Sequence, residues 1–239
     1  MTHWYRGVVR DIVSETTTVK RFFIEIPEVQ HFEFEAGQFV TFDLPIGNKR
    51  NQRWRSYSIA NAPDNSNVIE LCIVHLPNGA ASTYFFETLE IGSELKFKGP
   101  DGNFCLSEND NSDLVMICTG TGIAPFRSMI AKMARDNFDR RVHLIFGCRT
   151  SADILYKEEL QKLMHSNSLF TFDICLSRES AVGCNSGYVH QIYLEKYSGK
   201  TKGRRFYICG WSKMIDEAVE NLLVKMNCDR TQIVYELYG

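Results

Sequence analysis

The 239-residue chain has no run of roughly 20 apolar residues of the kind a membrane span needs, and Met1-Thr2-His3-Trp4-Tyr5-Arg6 carries no apolar signal core. A cytoplasmic protein with no membrane partner is expected. Neither sign of charge is in excess: 27 Lys plus Arg against 29 Asp plus Glu leave a net charge of −2, which is no footprint for nucleic acid. The eight cysteines include no C-x-x-C pair and no iron–sulfur spacing, and the six histidines form no H-x-x-x-H pair. Reduced, mostly buried thiols and no metal centre are expected. Two nucleotide signatures are missing as well, G-x-x-x-x-G-K-[ST] and G-x-G-x-x-G.

The chain that remains is long enough for two modest domains, and it changes grammar midway. Up to about residue 107, short β-type runs (20–26, 38–44, 55–59, 69–74 and 94–98) alternate with turns such as Pro63-Asp64-Asn65 and Pro77-Asn78-Gly79. That spacing predicts an antiparallel β-barrel. The polar stretch Ser107-Glu108-Asn109-Asp110-Asn111-Ser112-Asp113 is the natural boundary, giving domains 1–108 and 109–239. Beyond it, strands at 114–118, 142–147, 170–176, 206–209 and 232–238 alternate with helices at 126–138, 153–165, 188–197 and 212–226. Such alternation predicts a parallel five-stranded α/β domain whose ligands sit at the carboxyl ends of the strands.

Cys118-Thr119-Gly120-Thr121-Gly122-Ile123-Ala124-Pro125 is the most informative stretch. A buried strand ends in a turn of small residues, and Pro125 suits the first helical position, where an N–H is not needed. Gly120 and Gly122 let backbone approach a ligand, and amides at a helix start favour a phosphate. Taken alone, the stretch fits a phosphate loop or a ligand-free βα turn equally well. Arg55-Ser56-Tyr57-Ser58 similarly offers a cation, a flat ring and hydroxyls on one strand, or an ordinary strand. Gly79-Ala80-Ala81-Ser82-Thr83 opens the helical-looking segment 84–89 as a second amide cluster, or as a plain helix capped by Ser82.

Assembled in order, these segments resemble the ferredoxin–NADP⁺ reductase superfamily of flavoenzymes over nearly the whole chain. Its R-x-[YF]-[ST] motif matches Arg55 to Ser58, its G-x-x-S motif matches Gly79 and Ser82, its G-P-x-G-x-F turn matches Gly99 to Phe104, and its G-T-G-x-[AS]-P loop matches Gly120 to Pro125. Phe146-Gly147-Cys148-Arg149, Leu176-Ser177-Arg178-Glu179 and Cys209-Gly210 with Met214 follow in the same order. The resemblance implies an FAD-binding barrel followed by an NAD(P)-binding domain. Tyr57 would pack on the flavin and Ser58 would bond near its N5. Arg55 and amides around Ala81 and Ser82 would take the FAD pyrophosphate, with Ser56, Val74, His75, Gly79 and Thr83 lining that side. Thr121 and Gly122, with Thr119, Gly120 and Pro125, would hold the coenzyme pyrophosphate. Cys209 and Gly210 would approach the nicotinamide, while Glu236 relays a proton and Tyr238 lies beside the flavin. Ser58, Cys209 and Glu236 are the implied catalytic groups.

Arg149, Ser177 and Arg178 stand at strand ends where an arginine suits a 2′-phosphate, so NADPH is expected, with NADH possible. The basic loop Gly47 to Arg55 suits an acidic ferredoxin or flavodoxin-like carrier, or is merely solvated. The expectation is a monomeric reductase passing hydride from NADPH to FAD and single electrons to that carrier. An NADH-dependent oxygenase component, a free-flavin reductase and a non-catalytic subunit are the alternatives.

Overall fold

The computed structural model describes residues 3–107 and 110–238, which fall into two compact units. One takes the chain as far as Leu106 together with Ala124–Lys132; the other takes Ser107–Ile123 and the chain from Met133 onward. The expected boundary between Glu108 and Asn109 lies outside the described residues.

In the first unit, β1 (Trp4–Ser14), β2 (Val19–Glu25), β3 (Phe39–Asp43), β4 (Trp54–Ser58), β5 (Val68–Val74) and β6 (Glu94–Asp101) form an antiparallel sheet in the order β4-β3-β6-β1-β2-β5. A sheet of this size has two edges to protect. Here the edges meet, because Ile59 bridges Leu71 just past the end of β4 and the Ala60 amide donates to the Glu70 carbonyl at 2.8 Å. The barrel therefore closes at the end of β4. Its interior holds Val9, Phe22, Ile24, Val40, Phe42, Ile69, Leu71, Phe85 and Phe97, with Phe42 edge-on to Phe85 at 5.8 Å. Beside the helical stretch Ala124–Lys132, the unit holds two short helices, α1 (Arg50–Arg53) and α2 (Ala80–Thr83), the latter running into a π-helical turn at Tyr84–Thr88.

Strand β1 was not expected from sequence. It carries Arg6, Gly7, Arg10 and Asp11, and its register on β2 shifts between Val9 and Asp11. A bulge there resets the period of two, so the alternation that marks a half-buried strand is broken in the middle.

The second unit is a parallel sheet of β7 (Asp113–Thr119), β8 (Val142–Cys148), β9 (Phe170–Leu176), β10 (Asn185–Ser186), β11 (Arg204–Trp211) and β12 (Ile233–Tyr238), in the order β10-β9-β8-β7-β11-β12. The five expected strands are present, and the two-residue β10 adds an edge. Strand β7 is covered on both faces, since Leu114 to Cys118 are each at most 2% exposed. That explains an apolar run without alternation. The helices are α3 (Ile123–Arg135), α4 (Lys157–Ser166), α5 (Val189–Tyr197) and α6 (Ser212–Glu220). From β7 the chain winds outward through β8 to β10, then returns to β11 on the other side. The reversal at β7 and β11 is the point where open α/β sheets bind ligands.

Helix ends differ from expectation for local reasons. Because Gly120–Gly122 forms a 3₁₀ turn, α3 starts at Ile123 and Pro125 is its third residue rather than its first. The first four helical amides have no partner in the helix, so proline fits there too. Helix α3 ends at Arg135, short of the expected 138, where Asn137 turns left-handed at φ 65°. The expected helix 153–165 splits into a 3₁₀ turn at Ser151–Asp153 and α4, separated by Tyr156 at φ 52°.

At the other end of the parallel sheet, buried His143 on β8 joins Asp173 on β9 at 2.9 Å and the Tyr197 hydroxyl of α5 at 2.7 Å. The hydrogen bond from His143, helped by Lys196, holds the Asp173 carboxyl at a pKa of about 2. A carboxyl lowered on folding stabilises the native state above its unfolded pKa, near 3.8, and that contribution fades as pH falls through about 2. Asp173→Asn should therefore cost at most about 2 kcal/mol near neutrality. In urea titrations the gap between wild type and variant should close between about pH 4 and pH 2; a constant gap would contradict the assignment.

Candidate functional site

In the first unit the flavin-motif residues lie on β4, at the seam where the barrel closes. Arg55 and Tyr57 share a face. The Tyr57 ring stands edge-on to Phe85 at 5.2 Å and tilted to Phe42 at 6.1 Å, and burial pushes its phenol up to about 12 against the opposing effect of Arg55. It is a neutral, firmly packed ring at any physiological pH. The Arg55 guanidinium leans on the carbonyls of Asn51 and Trp54, at 3.0 and 2.7 Å. Ser58 is 4% exposed at the strand end. Ser56 is not gathered with Arg55 and Tyr57: it points to the other face, where its hydroxyl meets Thr41 at 2.9 Å.

Gly79 is the N-cap of α2, in place of the expected Ser82. The Ser82 hydroxyl is spent inside the turn, accepting from the Leu76 amide at 3.0 Å and donating towards the Gly79 carbonyl at 3.0 Å. The first helical bond is from Thr83 to Gly79, so the amides of Ala80, Ala81 and Ser82 have no partner within the helix. What Ser82 contributes is the shape of the turn. His75, just beyond Val74 at the end of β5, lays its ring on Phe86, centroids 4.9 Å apart.

In the second unit, β7 ends at Thr119, and the turn Gly120–Gly122 leads into α3. A methyl group on Gly122 would lie 2.5 Å from the Cys209 carbonyl oxygen. On Gly210, where φ is +149°, it would lie 2.6 Å from the Thr119 hydroxyl and 2.9 Å from Met214 Cε. The loop and the end of β11 are thus packed backbone to backbone. The Thr119 Oγ1 atom is buried there with no hydrogen-bond partner among the described residues, an unsatisfied polar group at the switch point. Cys209 registers with Cys118 on one side and Glu236 on the other. Burial, then Glu236 and Cys118, push its thiol well above the usual range, while the Tyr238 hydroxyl beside it acts in the opposite direction. A thiol so held stays protonated and is no nucleophile.

Pairing continues past the ends of β8 and β9. The Ser177 amide and hydroxyl donate to the Cys148 carbonyl at 3.0 and 3.2 Å, and the Arg178 amide donates to the Arg149 carbonyl at 2.9 Å. This sets Arg149 and Arg178 side by side. Both are exposed, and among the described residues neither has an ion-pair partner. Glu179 stands next to them, a group to which sequence reasoning gave no role. Its carboxylate is taken by Ser151, whose amide donates at 2.8 Å and whose hydroxyl donates at 2.9 Å. Glu70 was also missed, although a carboxylate inside the apolar run Ile69-Glu70-Leu71 was a visible signal.

Residues 7–105 match the oxidoreductase FAD-binding domain family and residues 116–220 the oxidoreductase NAD-binding domain family, which defines an oxidoreductase that uses a flavin and a nicotinamide coenzyme. The chain is 30% identical to ferredoxin–NADP reductase B of Sorangium cellulosum, over 92% of this chain and 91% of that one. It is 28% identical to the phenol hydroxylase P5 protein of Acinetobacter pittii, again over 92% of this chain but only 61% of that longer protein. The structure of a ferredoxin NADP⁺ reductase from Neisseria gonorrhoeae with bound FAD and NADP aligns with a TM-score of 0.80 at 26% identity, covering 99% of both chains. The chain belongs to the ferredoxin–NADP⁺ reductase superfamily.

The orphaned Thr119 hydroxyl gives a test that separates binding from folding. Thr119→Val keeps the side-chain shape and removes a buried polar group without a partner, so it should stabilise the protein by about 1 kcal/mol. The same change should weaken binding of the nicotinamide coenzyme. Thermal melts and a coenzyme titration measure the two effects, and a loss of stability would mean that the hydroxyl already has a partner.

Proposed function

We propose that the protein is an FAD-containing NADPH reductase that delivers single electrons to an acidic soluble carrier of the ferredoxin or flavodoxin type. The observation that carries the coenzyme choice is the pair of exposed arginines, Arg149 and Arg178, without ion-pair partners among the described residues, beside an acid whose oxygens are already engaged. Guanidinium groups bind a 2′-phosphate through charge-assisted bonds, whereas a free carboxylate would select the 2′-hydroxyl of NADH. The residues present fit both cofactors: free amides at Ala80 to Ser82, bare backbone at Gly122 and Gly210, and the waiting Thr119 hydroxyl.

Bound FAD supplies the chemistry itself, acceptance of a hydride and release of electrons one at a time. In this reading the Tyr57 ring, fixed by Phe85, offers a flat neutral surface to the isoalloxazine, and Ser58 offers a hydroxyl near its N5. Arg55 and the amides of Ala81 and Ser82 hold the pyrophosphate. Amides of Thr121 and Gly122 hold the coenzyme phosphates, and Ser177 with Arg178 and Arg149 holds the adenosine end. Cys209 contributes bulk and polarity rather than acid–base chemistry, because burial keeps its proton on. Glu236, its neighbour in register, is the carboxylate that would relay a proton at this end of the sheet.

The carrier would meet Lys49 and Arg50. Both are exposed, and the Arg50 guanidinium lies 3.8 Å over the Trp54 ring, which fixes its position. Arg53, by contrast, is tied to Asp43 at 2.8 Å. A second reading, an NADH-dependent oxygenase component, is favoured by relatives described as the phenol hydroxylase P5 protein and the anthranilate 1,2-dioxygenase electron transfer component.

Purified protein should be yellow, and Arg178→Ala should raise the KM for NADPH by about tenfold or more through loss of a charged hydrogen bond, with the KM for NADH within about twofold. Equal effects on the two coenzymes, or faster wild-type turnover with NADH, would favour the second reading. Replacing Lys49 and Arg50 by Ala should slow reduction of an acidic ferredoxin at low ionic strength, with the difference fading as salt is added. A rate that stays unchanged in dilute buffer would remove these two residues from the docking surface.

A further inference from the structure

Glu70 on β5 is 2% exposed, yet the proposed chemistry makes no use of it. One of its oxygens accepts from Arg21 Nε at 2.6 Å, and the other accepts from Arg127 Nη1 at 2.8 Å. Arg127 is the fifth residue of α3 and also donates to the Ala60 carbonyl at 2.9 Å. The next residue, Ser128, donates to the Asn61 carbonyl at 2.6 Å, and the Asn61 side chain accepts from the Glu70 amide at 2.8 Å. Every anchor therefore belongs to one knot, made where Ile59 closes the barrel directly after β4. The body of α3, Ala124–Lys132, belongs to the first unit for this reason, although the loop it continues, Gly120–Gly122, belongs to the second.

We propose that Glu70 and Arg127 are positioning residues that hold the coenzyme loop Gly120–Gly122 through α3. The inference rests on the reading of that loop as the nicotinamide-nucleotide site. A helix is stiff over a turn, so the placement of Arg127 is carried to Ile123, little more than one turn away. Apolar packing against the barrel would leave α3 free to slide or roll slightly. Charge-assisted bonds to two different acceptors, together with Ser128 on a third, fix both its axial position and its rotation. Stability alone gives little reason to keep Glu70, because a buried ion pair is often no better than apolar residues of the same volume. Geometry does give one, because hydride transfer falls off steeply when the reacting groups are misplaced by as little as an ångström.

The test compares Arg127→Gln, Arg127→Lys and Glu70→Gln with wild type, all loaded with FAD. Arg127→Gln should retain a full complement of FAD, and its reduction by dithionite and reoxidation by ferricyanide should be unchanged. Its Thr121 and Gly122 amides should exchange hydrogen about tenfold faster or more, while those of β7 and β11 do not, and the limiting rate of flavin reduction by saturating NADPH should fall about tenfold or more. Arg127→Lys, which keeps a cation, should recover much of that rate. Unchanged exchange at Thr121 and Gly122 together with an unchanged limiting rate would overturn the proposal. So would a rate that falls only in step with the fraction of folded protein. If Arg127→Gln does not fold, Glu70→Gln, which keeps the shape and one acceptor, carries the same comparison. Wild type that neither NADPH nor NADH reduces would defeat the functional reading instead, and the exchange measurement would still judge the tie.

Discussion

A carbonyl oxygen at Cys209 that would touch any side chain placed on Gly122 is a tight backbone constraint on the parallel sheet. It forces the end of β11 and the start of α3 to meet as bare backbone, and the Thr119 side chain is then trapped against Gly210 with its hydroxyl unsatisfied. Much follows from that packing. Cys209 is sealed from solvent, and the strand order reverses at this place, where open α/β sheets bind ligands. The unsatisfied hydroxyl costs stability in the protein alone, an expense that binding sites commonly carry.

Four of the eight thiols share a common setting. Cys118 and Cys209 are fully buried neighbours on β7 and β11, and desolvation pushes both thiols well above their usual range. Cys148 is raised to about 12 and Cys175 to about 11, again chiefly by burial. Oxidation and exchange proceed through the thiolate, so thiols held in this way react slowly with oxidants and disulfides.

Legibility in the sequence followed physical locality. The parallel strands were visible because burial on both faces gives an unbroken apolar run, as in Leu114 to Cys118. The turn between β7 and α3 was visible because its glycines and proline are contiguous. Strand β1 was hidden by the bulge after Val9, which shifts the alternating pattern by one. The split of 153–165 was hidden because Tyr156 adopts a left-handed conformation that its residue type does not advertise. Among the site residues, the types were legible but their commitments were not. Ser56 and Ser82 are of a type suited to ligand contact, yet their hydroxyls are spent on Thr41 and on the Leu76–Gly79 turn. The Glu70–Arg127 pair, 57 residues apart in sequence, has no local signature on the arginine side.

The same distinction between having a group and having it free bears on coenzyme choice. Read as letters, Ser177-Arg178-Glu179 offers an arginine for a phosphate and an acid for a ribose hydroxyl, two opposite preferences in adjacent residues. The structure separates them by what each already holds. Glu179 spends its oxygens on the Ser151 amide and hydroxyl, which fastens the turn following β8, and Ser177 and Arg178 are fastened to the same turn by backbone bonds to Cys148 and Arg149. The acid thereby becomes scaffold for the arginines. Freeing Glu179 would cost the turn two hydrogen bonds to a carboxylate before any ribose could be gained, so on the proposed reading the arrangement resists conversion to a preference for NADH by a small adjustment. Selectivity of this kind lies in a neighbour's hydrogen bonds, one step removed from the side chain that would touch the coenzyme.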